Sequence, residues 1–162
     1  MLIAAVLVIW AGWLAVYDWR QRRLPNWLLL AGAALGGLYG LVSGAMPYGV
    51  RISDGAGTAV LALVVFWPAY RMGWMGAGDV KLCAVIGWLG GVKCLLGVLL
   101  GGSLLGGVYG LALMMRPTLA DRLTVAELDL RLRRRIPYGA GMAVAFIGWN
   151  FVKVYTGVPM GT

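Results

Sequence analysis

Only six acidic side chains occur in the 162 residues, and two of them, Asp18 and Asp79, stand where an apolar run meets a polar, basic stretch. An ionisable group at such an edge is costly, so it marks a functional position. Asp79 follows Gly76-Ala77-Gly78 and precedes Val80-Lys81, while Asp18 precedes Trp19-Arg20-Gln21-Arg22-Arg23. Two carboxyls held close cannot easily both ionise, so they share a proton: one serves as general base on water and the other donates to a carbonyl. Peptide hydrolysis by such a pair calls for no metal, no cofactor and no covalent intermediate. The chain has no histidine and no CxxC pair, which excludes zinc sites and histidine-based devices. Cys83 and Cys94, in apolar surroundings, read as buried, unreactive thiols. Taken singly, each acid also has a plainer meaning. Asp18 fits a solvated interfacial residue beside arginines, and Asp79 fits a helix N-cap after a glycine hinge.

The elements that must position these acids are membrane helices. Hydrophobic residues make up 61% of the chain and charged ones 12%, with a mean hydropathy of +0.83. A water-soluble core of this length cannot absorb so much apolar surface, so an all-α, polytopic membrane bundle is expected, as one domain over residues 1–162. The 26 glycines predict close helix packing. Apolar runs place spans at 2–17, 27–45, 56–70, 79–89, 93–115 and 138–155, about six in all. Gly90-Gly91 breaks the fourth from the fifth, and the fourth is short for a span. Residues 116–135 are the one long polar stretch and carry capping-box and amphipathic patterns.

The net charge of +8 reflects topology and not a nucleic-acid partner. Stretches 18–26, 71–81 and 116–135 hold eleven of the fourteen Lys and Arg, against Arg51, Lys93 and Lys153 on the other side. The excess puts those three loops in the cytoplasm and both termini outside. Asp18 and Asp79 then share the cytoplasmic face. Asp79 would lie at the positive end of its helix's dipole and Asp18 at the negative end of its own.

In this order and spacing the motifs resemble the type IV prepilin leader peptidases, membrane aspartyl proteases of the GxGD kind. Asp18 with Arg23-Leu24-Pro25-Asn26 matches the first acid motif, Gly76-Ala77-Gly78-Asp79-Val80-Lys81 the second, and Ile136-Pro137-Tyr138-Gly139 the Pro-Tyr-Gly near the last helix. The resemblance implies removal of the basic leader of a prepilin or pseudopilin, just before its hydrophobic helix, at the cytoplasmic face of a bacterial inner membrane. Asp18 and Asp79 would be catalytic, with Gly76 and Gly78 shaping the approach to Asp79. The larger members' CxxC-bearing methyltransferase domain is missing from the pattern. The expectation is therefore peptidase activity alone, as in the short enzymes of tight-adherence (Flp) pilus systems.

The remaining polar residues have paired readings. Asn26 either hydrogen-bonds near Asp18 or starts a helix; Pro137 would shape the site, and Tyr138 borders it or belongs to the interfacial aromatic belt. Lys81, two positions after Asp79, points to another helix face and toward lipid head groups. Asp121, Glu127 and Asp129 either receive the basic leader or pair along a surface helix. The implied partners are the substrate helix and the bilayer, and the pattern is silent on oligomeric state. Two other functions use the same acids. A presenilin-like protease shares Tyr17-Asp18 and Gly-x-Gly-Asp but lacks the Pro-Ala-Leu element and the room for nine spans. A non-enzymatic membrane subunit or small transporter would hold the acids for structure only.

Overall fold

A computed structural model describes residues 2–21, 24–114 and 138–155. Five helices follow in order: α1 (Leu2–Gln21), α2 (Asn26–Ser43), α3 (Ile52–Arg71), α4 (Ala77–Met114) and α5 (Tyr138–Tyr155). The all-α expectation holds, and α1 to α4 are each long and apolar enough to cross a membrane. The count of six spans is not reached by that measure. The proposed fourth and fifth spans both fall within the range of α4, and α5 falls outside the set of four.

The glycine break is nevertheless real. Gly91 has φ 68° and ψ −170°, a conformation foreign to a helix and open chiefly to glycine. Cys83 Sγ lies 3.8 Å from Met142 Sδ, and a Cβ built on Gly102 would lie 2.9 Å from Met142 Cγ. A straight helix would hold residues 83 and 102 about 28 Å apart at 1.5 Å per residue. The chain therefore doubles back at Gly91, and α4 consists of two limbs. The first limb, residues 77–90, covers only about 21 Å against the ~30 Å of a hydrocarbon core.

Residue size decides which surfaces meet. The buried positions of α3 are Gly55, Thr58 and Ala62, so its backbone closes onto the first limb of α4. A Cβ on Gly55 would stand 2.6 Å from the Trp88 carbonyl oxygen. Small residues permit this approach between apolar helices. Leu7, Trp10, Leu14, Leu82, Ile86, Leu89, Met142 and Phe146 fill the centre. Trp10 and Trp88 donate their indole N–H groups to the carbonyls of Leu28 and Ala33, pinning α2 to α1 and α4. The outward faces carry Leu2, Ile9, Trp13, Leu38, Val64, Leu100 and Leu104, as a lipid-facing surface should.

Turns set the order of helix ends. α3 stops at Arg71 with Gly73 at φ 71°. The N–H groups of Gly73 and Trp74 bond back to the carbonyls of Tyr70 and Ala69, a Schellman ending. The end of α1 and the starts of α2, α4 and α5 lie at this same end of the bundle. The proposed short helices within 116–135 fall outside the described residues.

Candidate active site

Asp18 continues the buried stripe of α1, at steps of three and four from Leu7 through Ala11 and Leu14. It is 6% exposed, in the last turn of its helix. Its Oδ2 accepts the Ala140 N–H at 2.8 Å. Ala140 is the third residue of α5, so the donor is one of the N–H groups that a helix start leaves without an intrahelical acceptor. Gly139 lies against the same oxygen: a Cβ there would stand 3.0 Å from Oδ2. The Tyr138-Gly139 pair thus docks the start of α5 onto Asp18.

Asp79 is the third residue of α4 and half-buried. Its carboxyl folds back to accept the Gly76 N–H, the reach of a third-position acid toward the residue before its helix. Gly76 gives close clearance for this, since a Cβ on it would lie 3.1 Å from Asp79 Oδ2. No left-handed turn occurs at Gly76 or Gly78; the positive φ sits at Gly73. These glycines serve contact and not a hinge, and Gly78 packs against Leu24 instead of Asp79.

The two acids, sixty-one positions apart, are electrostatic neighbours across the junction of α1, α4 and α5. Cys83, one turn beyond Asp79, closes the inner side of the site with Met142. Asp79 does start its helix and Asp18 does end its own, as expected from sequence, but the start of α5 adds a second dipole at Asp18. Both carboxyls are therefore held at helix N-termini.

The other expected residues separate into three groups. Asn26 opens α2 and accepts from Lys81 Nζ at 2.9 Å, so these two pair with each other in an exposed position. Tyr138, 44% exposed, is one of the outward aromatics near this end, with Trp19, Trp27, Trp67 and Trp74. Pro137, Asp121, Glu127 and Asp129 lie outside the described residues. The sequence reading passed over Leu24, which touches both Gly78 and Gly139. The signal for it was its place directly before Pro25-Asn26 in the first motif.

An apolar groove of about 210 Å³ runs beside Asp18, lined by Trp19, Leu105, Tyr109, Ala140 and Val144. The ring of Trp19 meets that of Tyr109 edge-on at 5.7 Å.

No match was found among curated proteins or among solved structures. The model of the type IV leader peptidase family matches residues 5–111, a stretch that includes both acids and their glycines but ends before Tyr138-Gly139. With that match spanning most of the sequence, and with both acid motifs converging on one end of a helical membrane bundle, the chain belongs to the type IV leader peptidase family.

Proposed function

We propose that the protein is an aspartic-type prepilin peptidase that removes the basic leader of a type IV prepilin or pseudopilin, with Asp18 and Asp79 as its water-activating pair. The observation that carries the reading is the convergence of the two acids on one junction of three helices, near enough for the charge of Asp18 to act on Asp79. A water between them would lose a proton to one carboxyl while the other protonates the scissile carbonyl oxygen. Collapse of the tetrahedral intermediate then sends a proton to the leaving amine. The Ala140 N–H holds Asp18 and the Gly76 N–H holds Asp79, so neither group must reorganise as charge moves.

The exposed aromatics around the site suit a membrane–water interface, where a leader in water joins an apolar helix in lipid. The excess of Lys and Arg on this side supports a cytoplasmic site in a bacterial inner membrane, with both termini outside. Asp121, Glu127 and Asp129 are then candidates to receive the basic leader. Reversing all three charges is expected to raise KM for a basic-leader substrate.

The direct test is incubation of the detergent-purified protein with a prepilin, mapping the new N-terminus by mass spectrometry. Cleavage just before the hydrophobic helix is expected, with none by Asp18→Asn or Asp79→Asn protein. A folded Asp→Asn variant that still cleaves would dispose of the dyad. If the wild-type protein cleaves no prepilin and at least one substitution is tolerated, the chain is a non-enzymatic membrane subunit.

A further inference from the structure

Leu24, half-buried in the link between α1 and α2, is in contact with both halves of the site. A Cβ on Gly78 would stand 2.9 Å from Leu24 Cβ and 3.3 Å from its Cδ1. A Cβ on Gly139 would stand 3.0 Å from that same Cδ1, and 3.0 Å from Asp18 Oδ2. Carbon atoms at rest sit about 3.5–4.0 Å apart. The two glycines therefore make room for one isobutyl group between two helix starts. Gly78 immediately precedes Asp79, and Gly139 immediately precedes the residue whose N–H holds Asp18.

We propose that Leu24 is a positioning residue, a wedge that sets the distance between the first turn of α4, bearing Asp79, and the first turn of α5, which anchors Asp18. The inference rests on the dyad reading above. Packed side chains resist compression, so the wedge transmits its width to both backbones. Truncating it leaves a gap that the two helix starts close only by moving. A displacement of about 1 Å in a catalytic pair is enough to lower turnover about a hundredfold. The same contact crowds a Cβ at both positions: an alanine at either pushes on the wedge from one side. Leucine and methionine have similar volume, and methionine's flexible chain can refill the space.

The test is a cycle of variants assayed for kcat, KM and thermal midpoint on one prepilin. Leu24→Ala and Gly78→Ala are each expected to lower kcat by about tenfold or more, with KM within about threefold of wild type. Leu24→Met restores most of the turnover. The decisive member is the double variant Leu24→Gly/Gly78→Ala, read against both of its singles, in which the new Cβ enters the space that Leu24 Cβ leaves. Its kcat is expected to exceed that of Gly78→Ala by about fivefold, a coupling that independent sites do not show. If the Leu24→Gly variants do not fold, Leu24→Ala paired with Gly139→Ala replaces them, since truncation removes the Cδ1 that a Gly139 Cβ would meet at 3.0 Å. A kcat for the truncated variant within twofold of wild type overturns the proposal, as does a double variant equal to the product of the singles. A coupling seen in thermal midpoint but absent from kcat also overturns it, leaving a packing contact only. A wild-type protein that cleaves no prepilin overturns the functional reading, and this inference with it.

Discussion

The two ends of the bundle use polar groups in opposite ways. At the far end, Tyr48 donates its hydroxyl to Asn150 Oδ1 at 2.6 Å, and Asn150 Nδ2 donates to the Phe146 carbonyl at 2.8 Å. The rings of Tyr48 and Phe146 meet edge-on at 5.9 Å, and Met46 and Pro47 are fully buried beside them. Burial pushes the Tyr48 phenol far above its usual range, so it remains a neutral donor. This end is a lock between the α2–α3 loop and α5. At the near end, two acids share one glycine-lined junction, and the donors that hold them are backbone N–H groups at helix starts. Side chains fasten the far end to itself, whereas backbone holds the near end open to chemistry.

That contrast is broken most severely at the acids. Asp18→Asn or Asp79→Asn should leave no detectable prepilin cleavage, a loss of at least about 10²–10⁴-fold, while the helical content by circular dichroism stays unchanged, since only the proton chemistry is removed. Gly139→Ala should follow at about a hundredfold in kcat, because its Cβ enters contact with Asp18 Oδ2 and Leu24 together. A kcat equal to wild type would mean that α5 yields there at no cost. Tyr48→Phe at the far end should behave in the reverse manner. It leaves Asn150 Oδ1 without its buried donor and costs about 1–3 kcal/mol in unfolding free energy, with kcat retained. Loss of kcat without loss of stability would show the two ends to be coupled. Smallest of all, Lys81→Met removes an exposed hydrogen bond to Asn26 and should stay within about 0.5 kcal/mol of wild type.

Much of the site was legible because acids and glycines are conspicuous against an apolar chain. Asp18, Asp79, Gly76 and the Tyr138-Gly139 pair all lie at the junction, and the break at Gly90-Gly91 is where the chain reverses. The purpose of the glycines was not legible. Gly78 reads in sequence as a flexible turn, yet its partner is Leu24, fifty-four positions earlier. Asn26 pairs with Lys81, a contact fixed by the packing of α2 on α4 and not by either residue's neighbours in sequence.

The sequence by itself determined where helices run, where they stop and which end of the bundle carries the acids, because apolar length, breakers and charge are local properties. Which face of each helix turns inward was decided by tertiary structure alone. In α1, the inward Leu7, Ala11 and Leu14 are no more apolar than the outward Leu2, Ile9 and Val16, so no amphipathic stripe marks the side on which Asp18 falls. A protein in water sorts its faces by hydrophobicity, but in lipid both faces are apolar and only the fit of small against large residues distinguishes them. That fit, with glycine at the contacts, brought the start of α5 onto Asp18 and set Asp79 across from it.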